Sequence, residues 1–388
     1  MPDGQVSLAT IAREWTRIGC IGFGGPPTHI VLLRKLCVSD RGWISMTEFE
    51  DGIAATNLLP GPASTQLAIL CAWRLRRRLG ALVGGVCFIA PGLIAILALS
   101  ALFLAGHPPL WAQAAAAGAG AAVAAVALNA AFALMPGSWK RIGSRPVERG
   151  RWLLYASAGG LAAATTSPYL VLVLIASGLA EVGVREWRDR PPVRLRSYVL
   201  LPLLASVGSV GGIGALIWEG LKVGAVSYGG GFVIVPLMQS DAVTAYHWMT
   251  NAQFLNAVAL GQITPGPVVQ TIAAVGYAAA GLGGGVLAAV IAFTPSFLFV
   301  LLGAPHLDRI RAHASVQAFL TGAGSAAIGA IAGSAVPLGL ALAQPWQVGV
   351  LAAAFVWFVL LRHNVVVGLV AAGVIGVAAS FAGLPVGP

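Results

Sequence analysis

Apolar residues run along this chain in stretches far longer than the core of a soluble domain requires. No Asp, Glu, Lys or Arg occurs in residues 79–139, 242–307 or 312–361. A helix that crosses a bilayer takes about 20 apolar residues, so each stretch holds at least two crossings. The pattern predicts an all-α polytopic membrane protein. Two places interrupt it in the same way. "NLLPGPASTQ" at 57–66 and "QITPGPVVQT" at 262–271 each set two prolines around a glycine inside an otherwise helical segment. Proline removes a backbone donor and clashes with the preceding turn, so both helices must break there.

Composition agrees with the pattern. The 388 residues are 58% hydrophobic and 9% charged, with a mean hydropathy of +0.85. Soluble domains are nearer a quarter charged. The net charge of +10 does not imply a nucleic-acid partner, because the basic residues sit in short loops: "RLRRR" at 74–78, "KRIGSRPVERGR" at 140–151 and "REWRDRPPVRLR" at 185–196. Such loops mark the cytoplasmic face. The N-terminus is polar, with Arg13, Glu14 and Arg17 leading into the first apolar segment, so no cleavable signal peptide is expected. Cys20, Cys37, Cys71 and Cys87 lack C-x-x-C spacing and predict neither a metal site nor a disulfide framework. No nucleophile triad, Walker loop, metal cluster or dinucleotide fingerprint is present. The expectation is a protein without enzymatic activity, metal or cofactor.

The chain repeats itself. Residues 14–62 align without a gap on residues 219–267, with 12 of 49 positions identical. Glu14 meets Glu219, Arg17 meets Lys222, "FGG" at 23–25 meets "YGG" at 228–230, and P-G-P meets P-G-P. Phe88 and Pro91 fall opposite Phe293 and Pro295 after a one-residue deletion. Duplication explains this ordered set. The units are residues 1–184 and 197–388, joined by a basic cytoplasmic linker at 185–196. Nineteen of the 23 Lys and Arg residues precede position 197, yet the turn at 106–111 is uncharged and its partner at 304–314 carries two arginines. The charge asymmetry thus reverses between halves, which predicts an inverted repeat. About ten passes are expected, with the uncharged stretch 197–218 supplying the crossing that reverses orientation.

Two geometries fit residues 48–73, which lie between basic segments at 34–47 and 74–78. The segment is either a single helix kinked at proline, or a pair of half-helices entering and leaving on one side. Each half-helix would have about 12 residues, or roughly 18 Å. Irregular backbone at that depth is tolerated only inside protein. Pro62 and Pro267 suit the first position of a helix, and the amides after them form an uncapped positive end that suits an anion. The candidate substrate-binding residues are therefore Asn57, Pro60, Gly61, Pro62, Ser64, Thr65 and Gln66, with Gln262, Pro265, Gly266, Pro267, Gln270 and Thr271 in the second half. Gly24, Gly25, Gly229 and Gly230 add glycine turns where backbone can approach a ligand. Arg17 and Lys222 are candidate charge-compensating or access residues, with Glu14 and Glu219 one turn before them. An i,i+3 ion pair is the alternative reading of these four.

"FGGPPTH", "RGWISMTEFEDGIAATNLLPGPASTQLA" and "GALVGGVCFIAPG", followed by "SYGGGF" and "HWMTNAQFLNAVALGQITPGPVVQTIAAVGY", resemble the chromate ion transporter family in its long, two-domain form. The second half departs from G-G-P, having Gly229-Gly230-Gly231. The resemblance implies a multi-pass protein of the inner membrane that exports chromate, confers chromate resistance and draws on the transmembrane ion gradient. The residues by themselves reach only an anion-carrying inverted-repeat transporter in a lipid bilayer. A permease for sulfate or another tetrahedral oxyanion, and a membrane scaffold with no substrate, are the other readings. Coupling ion and oligomeric state are not encoded in these motifs.

Overall fold

The computed structural model describes residues 6–57, 59, 61–104, 108–142, 145–165, 169–189, 212–227, 231–304 and 313–386. Its regular structure among these residues is entirely helical. The first half begins with α1 (Leu8–Ile21), capped by the Ser7 hydroxyl, which accepts from the Thr10 amide. After a glycine turn comes α2 (Pro26–Arg34), which runs on as a π-helical segment, Lys35–Asp40. Helix α3 (Met46–Thr56) opens with a reciprocal capping box between Ser45 and Glu48. The second half repeats this order. Helix α9 (Ile213–Val226) and the π-helical segment Ser240–Ala245 stand 205 residues after their counterparts, with the short α10 (Val235–Gln239) between them. Helix α11 (Asn251–Ile263) begins with the matching capping box of Thr250 and Gln253.

The P-G-P segments are the tips of helical hairpins. Helix α4 (Ala63–Phe103) has non-helical backbone at Arg76 and Arg77, which divides it into limbs 63–75 (α4a) and 78–103 (α4b). Arg74 of α4a donates to the Glu48 carbonyl of α3, and Gly52 faces Leu67 and Leu70. Along one continuous helix Glu48 and Arg74 would stand roughly 39 Å apart. Residues 48–73 therefore go in and come back, which decides between the two sequence geometries. A second reversal follows at once, because Gly84 of α4b packs on Ala72 and Gly85 on Ile69. Helix α12 (Thr271–Gly303) repeats this break at Ala280 and Gly281, giving limbs 271–279 (α12a) and 282–303 (α12b). Arg77 has φ +49 where Gly281 has φ +64, and only glycine holds that conformation without strain.

The two breaks lie 204 residues apart, so the one-residue deletion precedes them rather than falling between Phe88 and Pro91. Phe88 consequently stands opposite Ala292, not Phe293: Gly19 packs on the Phe88 carbonyl as Gly224 packs on that of Ala292. The glycine turns are also hairpin tips. Arg41, just beyond the π-helical segment that extends α2, pairs with Glu14 of α1, and Lys222 of α9 pairs with Asp241.

Inversion follows from helix direction. Gly85 of α4b meets Phe297 of α12b, while Gly285 of α12b meets Leu97 of α4b. These equivalent helices run antiparallel, as a two-fold axis in the membrane plane requires. The hairpins of the first half hang from the Arg76 end and those of the second from the Ala280 end. They enter from opposite sides.

The remaining helices surround this hairpin core. They are α5 (Leu110–Ala121), α6 (Val123–Ile142), α7 (Pro146–Thr165), α8 (Leu170–Asp189), α13 (Ala314–Leu340), α14 (Pro345–Phe355) and α15 (Val365–Phe381). Helix α13 of the second half packs chiefly on α6, α7 and α8 of the first, and α5 packs on α15. Small residues make the contacts, with Gly159 against Ala326, Gly329 against Ala156 and Gly118 against Gly376. Such residues let backbones approach where lipid offers no hydrophobic drive to associate. Lipid-facing positions match too: exposed Leu82, Val86 and Ile94 on α4b stand 204 residues before Val286, Val290 and Leu298 on α12b.

Helix length does not yield the expected ten passes. Four stretches among the described residues are long and apolar enough to cross, and two of these, α4 and α12, each include a short limb that turns back. Of the stretch 197–218, residues 213–218 belong to α9, and 197–211 lie outside the described residues. Residues 185–189 of the basic segment continue α8, and 190–196 are likewise outside.

The orientation is testable with single cysteines in a background lacking the four native ones. Cysteines replacing Arg76 and Arg145 should react with an impermeant maleimide only from the cytoplasm, and those replacing Gly283 and Ala343 only from outside. Labelling of positions 76 and 283 from one face would refute the inverted arrangement.

Candidate functional site

The tips differ from ordinary helix ends because most of their described residues are buried, Phe23 and Gly24 excepted, and because they carry little side-chain capping. Helix α2 starts after Gly25 (φ +73) with Pro26 in its first turn, and α4a starts after Pro62; neither has a side-chain cap. Pro62 and Pro267 occupy the capping position rather than the first helical position, one residue earlier than expected. The amides of Ala63, Ser64 and Thr65 thus head α4a, with the Gln66 amide bonded back to the Pro62 carbonyl. In the second half the corresponding turn is tightened into a 3-10 segment, Val268–Gln270, where the Gln270 amide already bonds the Pro267 carbonyl.

The tips meet. Gly266 donates its amide to the Gly22 carbonyl, joining the second P-G-P to the first glycine turn across the repeat axis. A Cβ on Gly25 would lie 3.9 Å from Val268, and one on Gly231 would lie 3.3 Å from it, so both glycine turns converge on the residue after Pro267. Each P-G-P also abuts the other half's long helix beside a proline. Gly61 (φ +114) lies against Ser296, next to Pro295, and against the Gly224 carbonyl. Gly92, next to Pro91, lies against the Pro265 carbonyl and Gln270.

Several predicted residues are gathered at this junction: Gly25, Gly61, Pro62, Ser64, Thr65, Gln66, Pro265, Gly266, Pro267 and Gln270 are near or at the four tips, and all but Pro265 are buried. Gln270 donates to the Ile89 carbonyl at 2.8 Å, and Thr271 turns to the Val268 carbonyl. Gly24 and Asn57 are exposed, and Gln262 is half-buried. Pro60, Gly229 and Gly230 lie outside the described residues.

The charged candidates sit apart from the tips, in ion pairs. Glu14 is buried among Arg13, Arg17 and Arg41 at 3.2–3.4 Å, and the Arg17 side chain is 58% exposed. Glu219 is fully buried and pairs with Lys222 at 2.7 Å, while Lys222 also pairs with Asp241. The i,i+3 pairing is therefore present in both halves. One base is a carboxylate with three arginines, and the other is a lysine between two carboxylates.

Sequence reasoning passed over Ser227, Ser296 and Glu181, and read His29, present only in the first half, as a local hydrogen-bonding residue rather than a proton relay. His29 is fully buried and ties the first glycine turn to α4a: one ring nitrogen lies 2.8 Å from the Gly22 carbonyl and the other 3.2 Å from the Ser64 hydroxyl. Ser227 and Ser296 are fully buried at the tips. Their signal was available, since Ser227 replaces Gly22 and Ser296 replaces Gly92 when the halves are superposed. Glu181 is buried between α7 and α8, bound by Arg151, Arg185 and the Tyr155 hydroxyl, in a region read only as the approach to a basic linker.

Comparison with known proteins agrees with the repeat. The Chromate transporter family matches residues 9–182 and again residues 214–377. The chain belongs to this family. The two matches begin 205 residues apart (214 minus 9), the same offset as α1 and α9. It is similar to the chromate transport protein of Cupriavidus metallidurans, with 32% identity over 86% of this chain and 82% of that protein. It is 29% identical to the probable chromate transport protein of Synechococcus elongatus, over 88% of this chain and 91% of that one. The chromate transport protein of Pseudomonas aeruginosa is 29% identical over 96% and 92%. No solved structure matches.

In this family member the two ion-paired bases should respond differently to mutation. Lys222→Gln leaves Glu219 and Asp241 facing each other without a cation, a loss of about 3–5 kcal/mol for a buried pair. Arg17→Gln leaves Glu14 with two arginines and should cost about 1 kcal/mol or less. Unfolding of purified protein in detergent distinguishes them, and equal losses would contradict the structural roles described.

Proposed function

We propose that this protein is a secondary transporter that exports chromate from the cytoplasm across the inner membrane, conferring chromate resistance and driven by the transmembrane ion gradient. The observation that carries the reading is the meeting of largely buried tip residues from both halves, on hairpins entered from opposite sides, in a family of chromate transporters. No Asp, Glu, Lys or Arg occurs in the tip segments 22–30, 57–66, 227–235 or 262–271. A tetrahedral dianion held there loses hydration that donors must replace. Uncapped helix ends, each equivalent to about half a positive charge, and neutral amide and hydroxyl groups supply that replacement.

The absence of a fixed countercharge at the tips has a mechanistic use. A site with full cationic neutralisation would hold the dianion too firmly for release, whereas partial charges balance capture and departure. The units at residues 1–184 and 197–388 each contribute two tips, with 185–196 linking them at the cytoplasmic face. Arg74, Arg76, Arg77 and Arg78 stand at the base of the α3/α4a hairpin. There they raise the local concentration of anions on the cytoplasmic side, which suits an exporter. Arg17 and Lys222 act from the hairpin bases, along the routes to the site, rather than on the substrate.

Flux measurements in proteoliposomes containing the full chain test this. Radiolabelled chromate should move when a pH gradient or a membrane potential is imposed, each applied separately to identify the driving ion. Sulfate moving in place of chromate would make the protein a sulfate permease. Movement of neither would leave a non-transporting scaffold and defeat the proposal.

A further inference from the structure

The two P-G-P turns are equivalent by repeat but not by chemistry. Around Gly266 most polar groups are occupied with one another, Gln270 Oε1 being the exception among the described residues. The Gly22 carbonyl receives the Gly266 amide and lies within hydrogen-bonding reach of His29, whose other nitrogen meets Ser64. The Gln270 side chain reaches across to the Ile89 carbonyl and lies against both Gly266 and Gly92. The first turn after Pro267 is wound tight, with the Gln270 amide already used.

Gln66 lies against Gly61 as Gln270 lies against Gly266, but three hydroxyls stand around the first turn: Ser296 where the first half has Gly92, Ser227 where it has Gly22, and Thr65 one residue before Gln66. All three are fully buried, and their hydroxyl oxygens find no hydrogen-bond partner among the described residues. The Ser296 oxygen stands 3.3 Å from where a Cβ on Gly61 would lie. Helix α9 runs alongside α12b with Gly220 near Ala288 and Gly224 near Ala292, and this register brings Ser227 level with Ser296. A buried hydroxyl without a partner is costly, and three at one turn are unusual in a settled core. The amides of Ala63, Ser64 and Thr65 at the uncapped end of α4a head the same turn.

We propose that the oxyanion binds at the first P-G-P turn alone, with Ser296, Ser227 and Thr65 donating to it beside the α4a amides, while the second turn is a structural staple. This assignment rests on the oxyanion-transport reading. Hydroxyls suit a substrate whose oxygens are all acceptors, since each O–H can rotate to donate. The Gly266–Gly22 and Gln270–Ile89 contacts hold the opposite side shut, so one dianion is carried per cycle rather than two.

Ser296→Ala and Ser227→Ala separate this assignment from a packing role. Because neither hydroxyl has a partner among the described residues, both variants should be at least as stable as wild type without substrate. Each should weaken chromate roughly 10- to 100-fold, the usual scale for a hydrogen bond to a charged group. The readouts are the KM of proteoliposome flux and the chromate-induced rise in melting temperature of detergent-solubilised protein. Ser296→Thr should restore much of the affinity. Gln270→Ala should lower the melting temperature without substrate while leaving KM within about threefold, as expected for a staple that does not touch the ligand.

Loss of substrate-free stability in the serine variants would show that the hydroxyls have structural partners, and would overturn the assignment. So would unchanged chromate affinity in both, or loss of affinity in Gln270→Ala with stability intact. If wild type neither moves chromate or sulfate nor is stabilised by them, the transport reading itself fails.

Discussion

Everything in this structure depends on one constraint: a backbone amide or carbonyl inside a bilayer must be paired. Broken helices are therefore admissible only where other protein encloses the break. Here the enclosure is mutual. Each half brings in two hairpins, and the tips of one half are covered by the long helix and the glycine turn of the other. The Gly266–Gly22 hydrogen bond and the packing of Gly92 on the Pro265 carbonyl are the direct expression of this. A single half could not bury its own tips. Duplication with inversion solves that problem, since antiparallel copies present complementary ends.

Much of this was legible in the sequence, and for physical reasons. Long uncharged stretches can only be membrane helices, so the fold class followed from residue type. The reversal of basic loops between halves gave the inversion that the antiparallel α4b and α12b display. The P-G-P and glycine motifs located the tips. What the sequence left undecided was whether a helix kinks or turns back, because proline permits both. That was settled by a long-range contact, Arg74 on the Glu48 carbonyl, which no local pattern encodes.

The side-chain chemistry was less legible. Matching charge between halves drew attention to Arg17 and Lys222, yet both are engaged with carboxylates at the hairpin bases. The more informative positions are those where the halves differ. His29 faces Ile234 in the alignment, Ser296 faces Gly92, and Ser227 faces Gly22. A repeat that folds symmetrically need not function symmetrically. Fold is set by the backbone and small residues common to both copies, whereas chemistry is carried by the few side chains that diverged.

The exchange of outer helices has a consequence for motion and assembly. Helix α13 lies on α7 and α8, and α5 lies on α15, so the packing divides the molecule into an inner group (α1–α4 with α9–α12) and an outer group (α5–α8 with α13–α15). Each group draws from both halves of the chain. A carrier that opens by sliding one rigid body past another would use that boundary, since parting the N-terminal from the C-terminal half would tear α13 from its seat. For the same reason the first half leaves the ribosome with glycine-lined grooves on α5 and α7 still waiting. The last 75 residues or so, from α13 onward, close the structure, much as a dovetail joint holds only when its second board is driven home.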